Sequence, residues 1–366
     1  MAPGPVALDL ALQGGGSHGA FTWGVLDRLL EDDTLQLAGI CGTSAGALNA
    51  AVLATGWARG GRSGARAALR AFWMDVARDG GPWGGCFGVP LESALQTPLQ
   101  AALGGAPGGA LAIGRYNLDK NPFYAWAEPW LRLFSPYQFG TQSTNPLREV
   151  LQRHVDPRQL AEGPLNVFVI ATAVRTGQPR VFDRSDLGID ALLASACLPQ
   201  LFRAVVIDGE PYWDGGFSGN PALWPLIYNT DALDLLLVKI NPLVRPDTPQ
   251  TADEIADRIN EITFNAGLVG EMRAIGFVQR LIEEGVALPE GYKHLRLHMV
   301  ADDEGLAPLN ASSKLNTDRA FLEALHTLGR AAAERWWQAH RADVGRRSSL
   351  DLAATFLKPR RAPPVL

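Results

Sequence analysis

Leu37-Ala38-Gly39-Ile40-Cys41 runs without a break into Gly42-Thr43-Ser44-Ala45-Gly46, and from there into a small-residue stretch, residues 45–55, that suits a helix. An apolar strand that reaches a helix through small-x-Ser-x-small makes a tight, strained turn with a serine at its tip. Gly42 and Gly46, two residues before and two after, leave room for the turn, and the hydroxyl stands over a helix N-terminus. This is one way a protein exposes a nucleophilic alcohol. The same string also suits a helix that needs glycines only for close packing, so neighbouring motifs must decide between the two.

Thirty residues upstream of Ser44, Gly14-Gly15-Gly16-Ser17-His18-Gly19 follows the apolar run Val6–Leu12 and precedes a helical stretch, residues 19–30. Consecutive glycines at a strand end leave backbone N–H groups bare, able to bind a phosphate or the oxyanion of an acyl-transfer intermediate. The spacing is about that of one βαβ unit, which sets glycine loop and serine turn on the same edge of a parallel sheet. Gly14-x-Gly16-x-x-Gly19 also matches a dinucleotide fingerprint, and a non-hydrolytic nucleotide- or phosphate-binding α/β module is the rival reading. That fingerprint wants an acidic residue at the end of the second strand. Here the second strand ends in Ile40-Cys41-Gly42, and Asp32 and Asp33 precede it. A third motif, Asp214-Gly215-Gly216, follows a hairpin expected over residues 204–213 around Asp208-Gly209. By itself it would be an ordinary turn.

In this order and spacing the three motifs resemble those of the patatin-like acyl hydrolases. Ala194-Ser195-Ala196-Cys197-Leu198-Pro199 with Phe202 resembles the block that precedes the family's aspartate, and residues 258–282 and 295–302 are similar to its long bacterial members. The likeness covers at least residues 6–302. It implies a three-layer α/β/α sandwich on a mostly parallel central sheet, distinct from the α/β-hydrolase fold. It also implies a Ser–Asp dyad, with Ser44 as nucleophile and Asp214 as general base. The oxyanion hole would be the N–H groups of Gly15 and Gly16, with Gly14 and Ala45 as further donors. Gly215 and Gly216 would let the Asp214 loop approach the serine. His18 departs from the pattern, since many members carry Arg or Lys there. The resemblance implies neither metal nor cofactor. The substrates it implies, in order, are phospholipids or lysophospholipids, neutral acylglycerols and short esters, then aliphatic polyesters, and transfer of the acyl group to an alcohol stays open.

The order of elements agrees with the exclusion of the α/β-hydrolase fold. There the serine turn follows several strands and a histidine comes last, whereas here one strand precedes the strand leading to Ser44. Of the six histidines, His294 and His298 alternate with apolar residues as on a strand with one polar face, and are read as satisfied sheet residues. His154 and His340 are read as surface residues.

With 366 residues and 47% hydrophobic content the chain can bury a large core, and a net charge of −5 argues against a nucleic-acid footprint. Cys41, Cys86 and Cys197 are scattered, which fits a reducing, cytoplasmic compartment rather than a disulfide framework. No stretch approaches the roughly 18–20 apolar residues of a membrane span. The N-terminus lacks a basic region, and Val6–Leu12 reads as a strand, not a signal peptide.

Strands are expected at 6–12, 37–41, 165–174, 204–207, 211–213, 234–240 and 293–299, several as continuous apolar runs suited to a sheet covered on both faces. Helices are expected at 19–30, 45–55, 63–77, 145–153, 188–196, 251–283 and 317–341, the sixth opening with the capping pattern Thr251-Ala252-Asp253-Glu254. These make one catalytic domain over residues 5–342, with core motifs in 6–245 and a helical and strand part in 250–342. Residues 79–145, rich in Gly, Pro and aromatics, read either as a lid-like insertion or as a satellite hydrophobic cluster. Residues 343–366 read as a basic, partly disordered tail. A lipid-like ester is the expected partner, and peripheral contact with a membrane is left open.

Overall fold

A computed structural model describes residues 6–79, 113–120, 135–138 and 145–357. Most of the aromatic insertion therefore lies outside the described residues, including Trp83, Phe87, Tyr124, Trp126, Trp130, Phe134 and Phe139.

Among the described residues the strands are β1 (Val6–Leu12), β2 (Leu35–Thr43), β3 (Asn166–Ala173), β4 (Pro179–Phe182), β5 (Val205–Ile207), β6 (Glu210–Asp214), β7 (Asp234–Val238) and β8 (Arg296–Val300). They form one sheet in the order β5-β6-β3-β2-β1-β7-β8, with β4 also paired to β3. The run from β3 to β8 is parallel, while β4 and β6 lie antiparallel to β3 and β5 antiparallel to β6. The helices are α1 (Gly19–Leu29), α2 (Ala45–Asp79), α3 (Leu147–His154), α4 (Pro157–Glu162), α5 (Ile189–Ser195), α6 (Trp224–Asn229), α7 (Ala252–Glu283), α8 (Asp303–Leu306) and α9 (Arg319–His340).

Because successive strand residues point to opposite faces, an apolar run must bury both. Leu8, Leu10, Leu12, Ile40, Val167, Val169 and Leu236 join the core beneath α1, α2 and α9. Ala11, Cys41, Phe168, Ile170, Leu235, Leu237 and Leu297 join a second core beneath α6 and α7. The result is a helix–sheet–helix sandwich, as the family resemblance implied.

Several boundaries differ from the sequence reading. The helices expected at 45–55 and 63–77 run on through residues 56–62, and the chain breaks only at Gly60 (φ −161°) and Gly61 (φ +58°). The short strand β4 and the helices α4, α6 and α8 are too brief for periodicity to mark. The last strand starts at Arg296, so His294 precedes it, exposed beside Glu283. His298 is fully buried between Asp234 (3.0 Å) and Ser349 (2.8 Å). His154 is no surface residue: its Nε2 lies 2.8 Å from Asp75, with little of the side chain exposed. The expected tail belongs to the packed domain as far as residue 357. Ser348 and Ser349 bond to β8, Leu352 and Phe356 enter the second core, and Arg347 pairs with Asp343. The rest of it, with Lys358, Arg360 and Arg361, lies outside the described residues. The capping pattern of α7 is realised: Glu254 N–H donates to Thr251 Oγ1 (3.3 Å) and Thr251 N–H to the Glu254 carboxylate (3.0 Å).

Candidate active site

Strand register brings the motifs together. Thr43 at the end of β2 pairs with Ile170, and the next residue of β3, Ala171, pairs with Asp214 at the end of β6. The antiparallel β6 thus delivers its aspartate to the edge from which the parallel β2 sends out its serine. The glycine loop leaves β1 at this same edge, beside β2.

Ser44 sits at φ +52°, a left-handed conformation rare for a residue with a Cβ. Its N–H donates to Ser195 Oγ on α5 (2.9 Å), and its carbonyl accepts the N–H of Leu48, starting α2. Asp214 is fully buried. Its N–H donates to the Cys197 carbonyl (2.8 Å), its carbonyl accepts from Thr172 Oγ1 (2.8 Å), and its Oδ1 accepts the Gly216 N–H (2.7 Å). Burial drives the carboxyl up to about 6, opposed by Gly216 N–H, the Ser44 hydroxyl and the charge of Lys314. Oδ2 makes no hydrogen bond of regular geometry among the described residues. Ser44 is nevertheless near enough to pull on the carboxyl.

The glycine loop presses on the serine turn. A Cβ on Gly14 would stand 2.5 Å from the Thr43 carbonyl oxygen and 2.7 Å from Ser44 Cβ. The Gly14 N–H donates to Asn220 Oδ1 (2.6 Å) and so is not a bare donor, contrary to the sequence reading. The N–H groups of Gly15, Gly16 and Ala45 have no acceptor among the described residues. Gly42 and Gly46 meet inside the turn, and Gly215 and Gly216 pack on the Ile170 carbonyl and the Phe264 ring.

Two buried cysteines, Cys41 and Cys197, are free thiols, and desolvation raises both, Cys197 to about 11. No group of three His, Cys, Asp or Glu side chains that would hold a metal occurs among the described residues.

A sequence model of patatin-like phospholipases matches residues 10–227, more than half of the chain. The chain belongs to the patatin-like phospholipase family. It is a lipid acyl hydrolase at the level of that family. Similar solved structures include VipD from Legionella pneumophila (14% identity, TM-score 0.39, covering 93% of this chain and 68% of that one). Others are the type III effector protein ExoU (18%, TM-score 0.34, 93% and 53%) and the heterodimeric ExoU–SpcU complex of Pseudomonas aeruginosa (16%, TM-score 0.26, 97% and 75%). No curated protein matches the chain.

In this patatin-like chain the sequence reading missed a polar scaffold behind the glycine loop. Gln13 Oε1 accepts the N–H groups of Ile240 and Asn241, and its Nε2 donates to the Asn220 carbonyl and Asn265 Oδ1. Asn241 Nδ2 donates to the Gly14 carbonyl (2.8 Å), as does Asn220 Nδ2 (3.3 Å). A signal was present: Gln13 and Asn241 come just after the apolar runs of β1 and β7, at the carboxyl edge of a parallel sheet where α/β sites form.

Proposed function

We propose that the protein cleaves carboxylic esters of lipids through an acyl-Ser44 intermediate, with Asp214 as general base. The observation that carries this reading is the meeting of a strained serine, a buried carboxylate with an unpartnered oxygen, and two bare glycine N–H groups at one sheet edge. Asp214 takes the hydroxyl proton as Ser44 Oγ attacks the ester carbonyl. The tetrahedral oxyanion accepts from the N–H groups of Gly15 and Gly16, with Ala45 as a further donor. The alcohol leaves with the proton. Water, activated by the same carboxylate, then attacks the acyl-serine and frees the acid. A buried carboxyl titrating near 6 is a better base towards an alcohol than a free one near 3.8, yet is still mostly ionised at neutral pH. The substrate classes in order of expectation are phospholipids and lysophospholipids, acylglycerols and short esters, then aliphatic polyesters.

A fluorophosphonate probe and a panel of p-nitrophenyl esters and phospholipids test this together. Covalent labelling that is lost in Ser44→Ala supports the reading, and an unlabelled but folded wild-type protein overturns it. Gly14→Ala, whose methyl has no room against the turn, should lower turnover by about 100-fold or more while circular dichroism stays unchanged.

The outward face of α7 offers a means of meeting lipid. Ile255, Ile259, Ile262 and Phe277 are 43%, 60%, 54% and 53% exposed and line one stripe, with Ala266, Gly270 and Arg273 between them and no carboxylate. On its inner face, Phe264 packs on Phe217, three residues past Asp214. No described helix is long and apolar enough to cross a membrane, so the contact proposed is peripheral. Ile259→Asp with Ile262→Asp should cut hydrolysis of vesicle phospholipid by about tenfold and spare p-nitrophenyl butyrate; equal effects on both would remove α7 from the lipid contact.

A further inference from the structure

The peptide between Gly14 and Gly15 is held on one side only. Its carbonyl accepts from Asn241 Nδ2 (2.8 Å) and, at longer range, from Asn220 Nδ2 (3.3 Å), and since the peptide is trans its N–H, that of Gly15, points the opposite way. Asn241 in turn has its Oδ1 fixed by Lys314 Nζ at 3.0 Å. An asparagine amide can be turned over, which would set its Oδ1 against the Gly14 carbonyl oxygen; an ammonium on that Oδ1 excludes the flipped state, because Nζ has only protons to offer. Lys314 is placed for this by its own turn, Ser312–Leu315. Its carbonyl stands where a Cβ on Gly16 (φ +57°) would be, so lysine and loop are packed backbone to backbone. Nζ also donates to Asn260 Oδ1 (3.2 Å) and lies over the Phe264 ring, the ring that covers Gly216.

We infer that Lys314 is a positioning residue of the hydrolytic site: it locks the Asn241 amide so that the Gly15 N–H is presented, and it keeps a positive charge beside Asp214. The inference rests on the Ser44–Asp214 reading and adds a third group to it.

The charges around Lys314 are few and assignable. Glu261 is answered by Arg245 and Arg258. Asp257 lies close and is pushed upward by burial, with Asp119 and Glu261 adding to the push. His18 shares the crevice with Arg245 and Lys314, but burial, aided by those two cations, lowers it to about 3. Ser313 Oγ donates to the Asn310 carbonyl, so it accepts from His18 Nε2, which places a ring proton on that nitrogen. Among these cations Lys314 is the one that acts on Asp214, where its charge lowers the carboxyl; Asp214 in turn raises the lysine, against the burial that depresses it.

The test uses the full chain and a soluble p-nitrophenyl ester, with kcat and KM measured from pH 4.5 to 9 for wild type, Lys314→Arg, Lys314→Gln and Lys314→Met. The Gln variant keeps a donor for Asn241 and loses the charge, so its acid limb should move up by half a pH unit or more with KM within about twofold. The Met variant loses both and should also drop in kcat by tenfold or more. The Arg variant should restore most of the rate and the wild-type limb. Wild-type profiles in both neutral variants overturn the inference while leaving the dyad standing. Full activity in Ser44→Ala or Asp214→Asn removes the dyad itself, whatever the lysine variants do.

Discussion

Ser44→Ala should yield a folded protein with no measurable acyl-ester hydrolysis. The expected fall is at least about a thousandfold, the scale on which removal of a covalent nucleophile acts. The fold should survive, because the hydrogen bonds that hold the turn run from the backbone of residue 44, to Ser195 Oγ and Leu48 N–H, and alanine keeps both. Loss of turnover with an unchanged melting temperature is the expected result. Turnover near wild type would place the nucleophile elsewhere.

Asp214→Asn should lose activity on a similar scale and gain stability. The activity arm is simple: asparagine keeps an acceptor for Gly216 but cannot take a proton. In the wild type the same carboxyl should give kcat/KM an acid limb near pH 6, rising with pH, because the ionised form is the proposed base. The stability arm follows from linkage. The carboxyl titrates near 3.8 when unfolded and near 6 when folded. As pH rises between these values the unfolded chain releases the proton and the native protein holds it, so stability falls. The penalty is complete above pH 6 and amounts to at most about 3 kcal/mol. The neutral variant escapes it. At pH 8 Asp214→Asn should therefore melt several degrees higher than wild type, and at pH 4 the advantage should vanish. An equal melting temperature at both pH values would show that burial of this acid costs the fold nothing.

The parts of the fold legible in the sequence were those with a physical signature of their own. Continuous apolar runs announced β1, β3 and β7 as strands covered on both faces. Glycines at strand ends announced both loops, and Thr251 with Glu254 announced the start of α7. Short elements left no such trace: β4 has four residues and α8 four, fewer than a period needs. Polar residues were misread where tertiary packing decides their fate. His154 looked like a surface residue because nothing local shows that Asp75, almost 80 positions away, folds onto it. Lys314 lies about 270 residues from Ser44, and only the sheet order brings it near.

One short segment ties down both groups of the proposed dyad. Ser195 takes the amide of Ser44, and two residues later the Cys197 carbonyl takes the amide of Asp214. The proposed nucleophile and base, 170 positions apart in the chain, are thus anchored to a common strut. If the surrounding layers breathe, the two should travel as a pair rather than drift apart, so the gap between oxygen and carboxylate is buffered against motion elsewhere. A distortion of that strut, by contrast, would disarm the enzyme without touching either group.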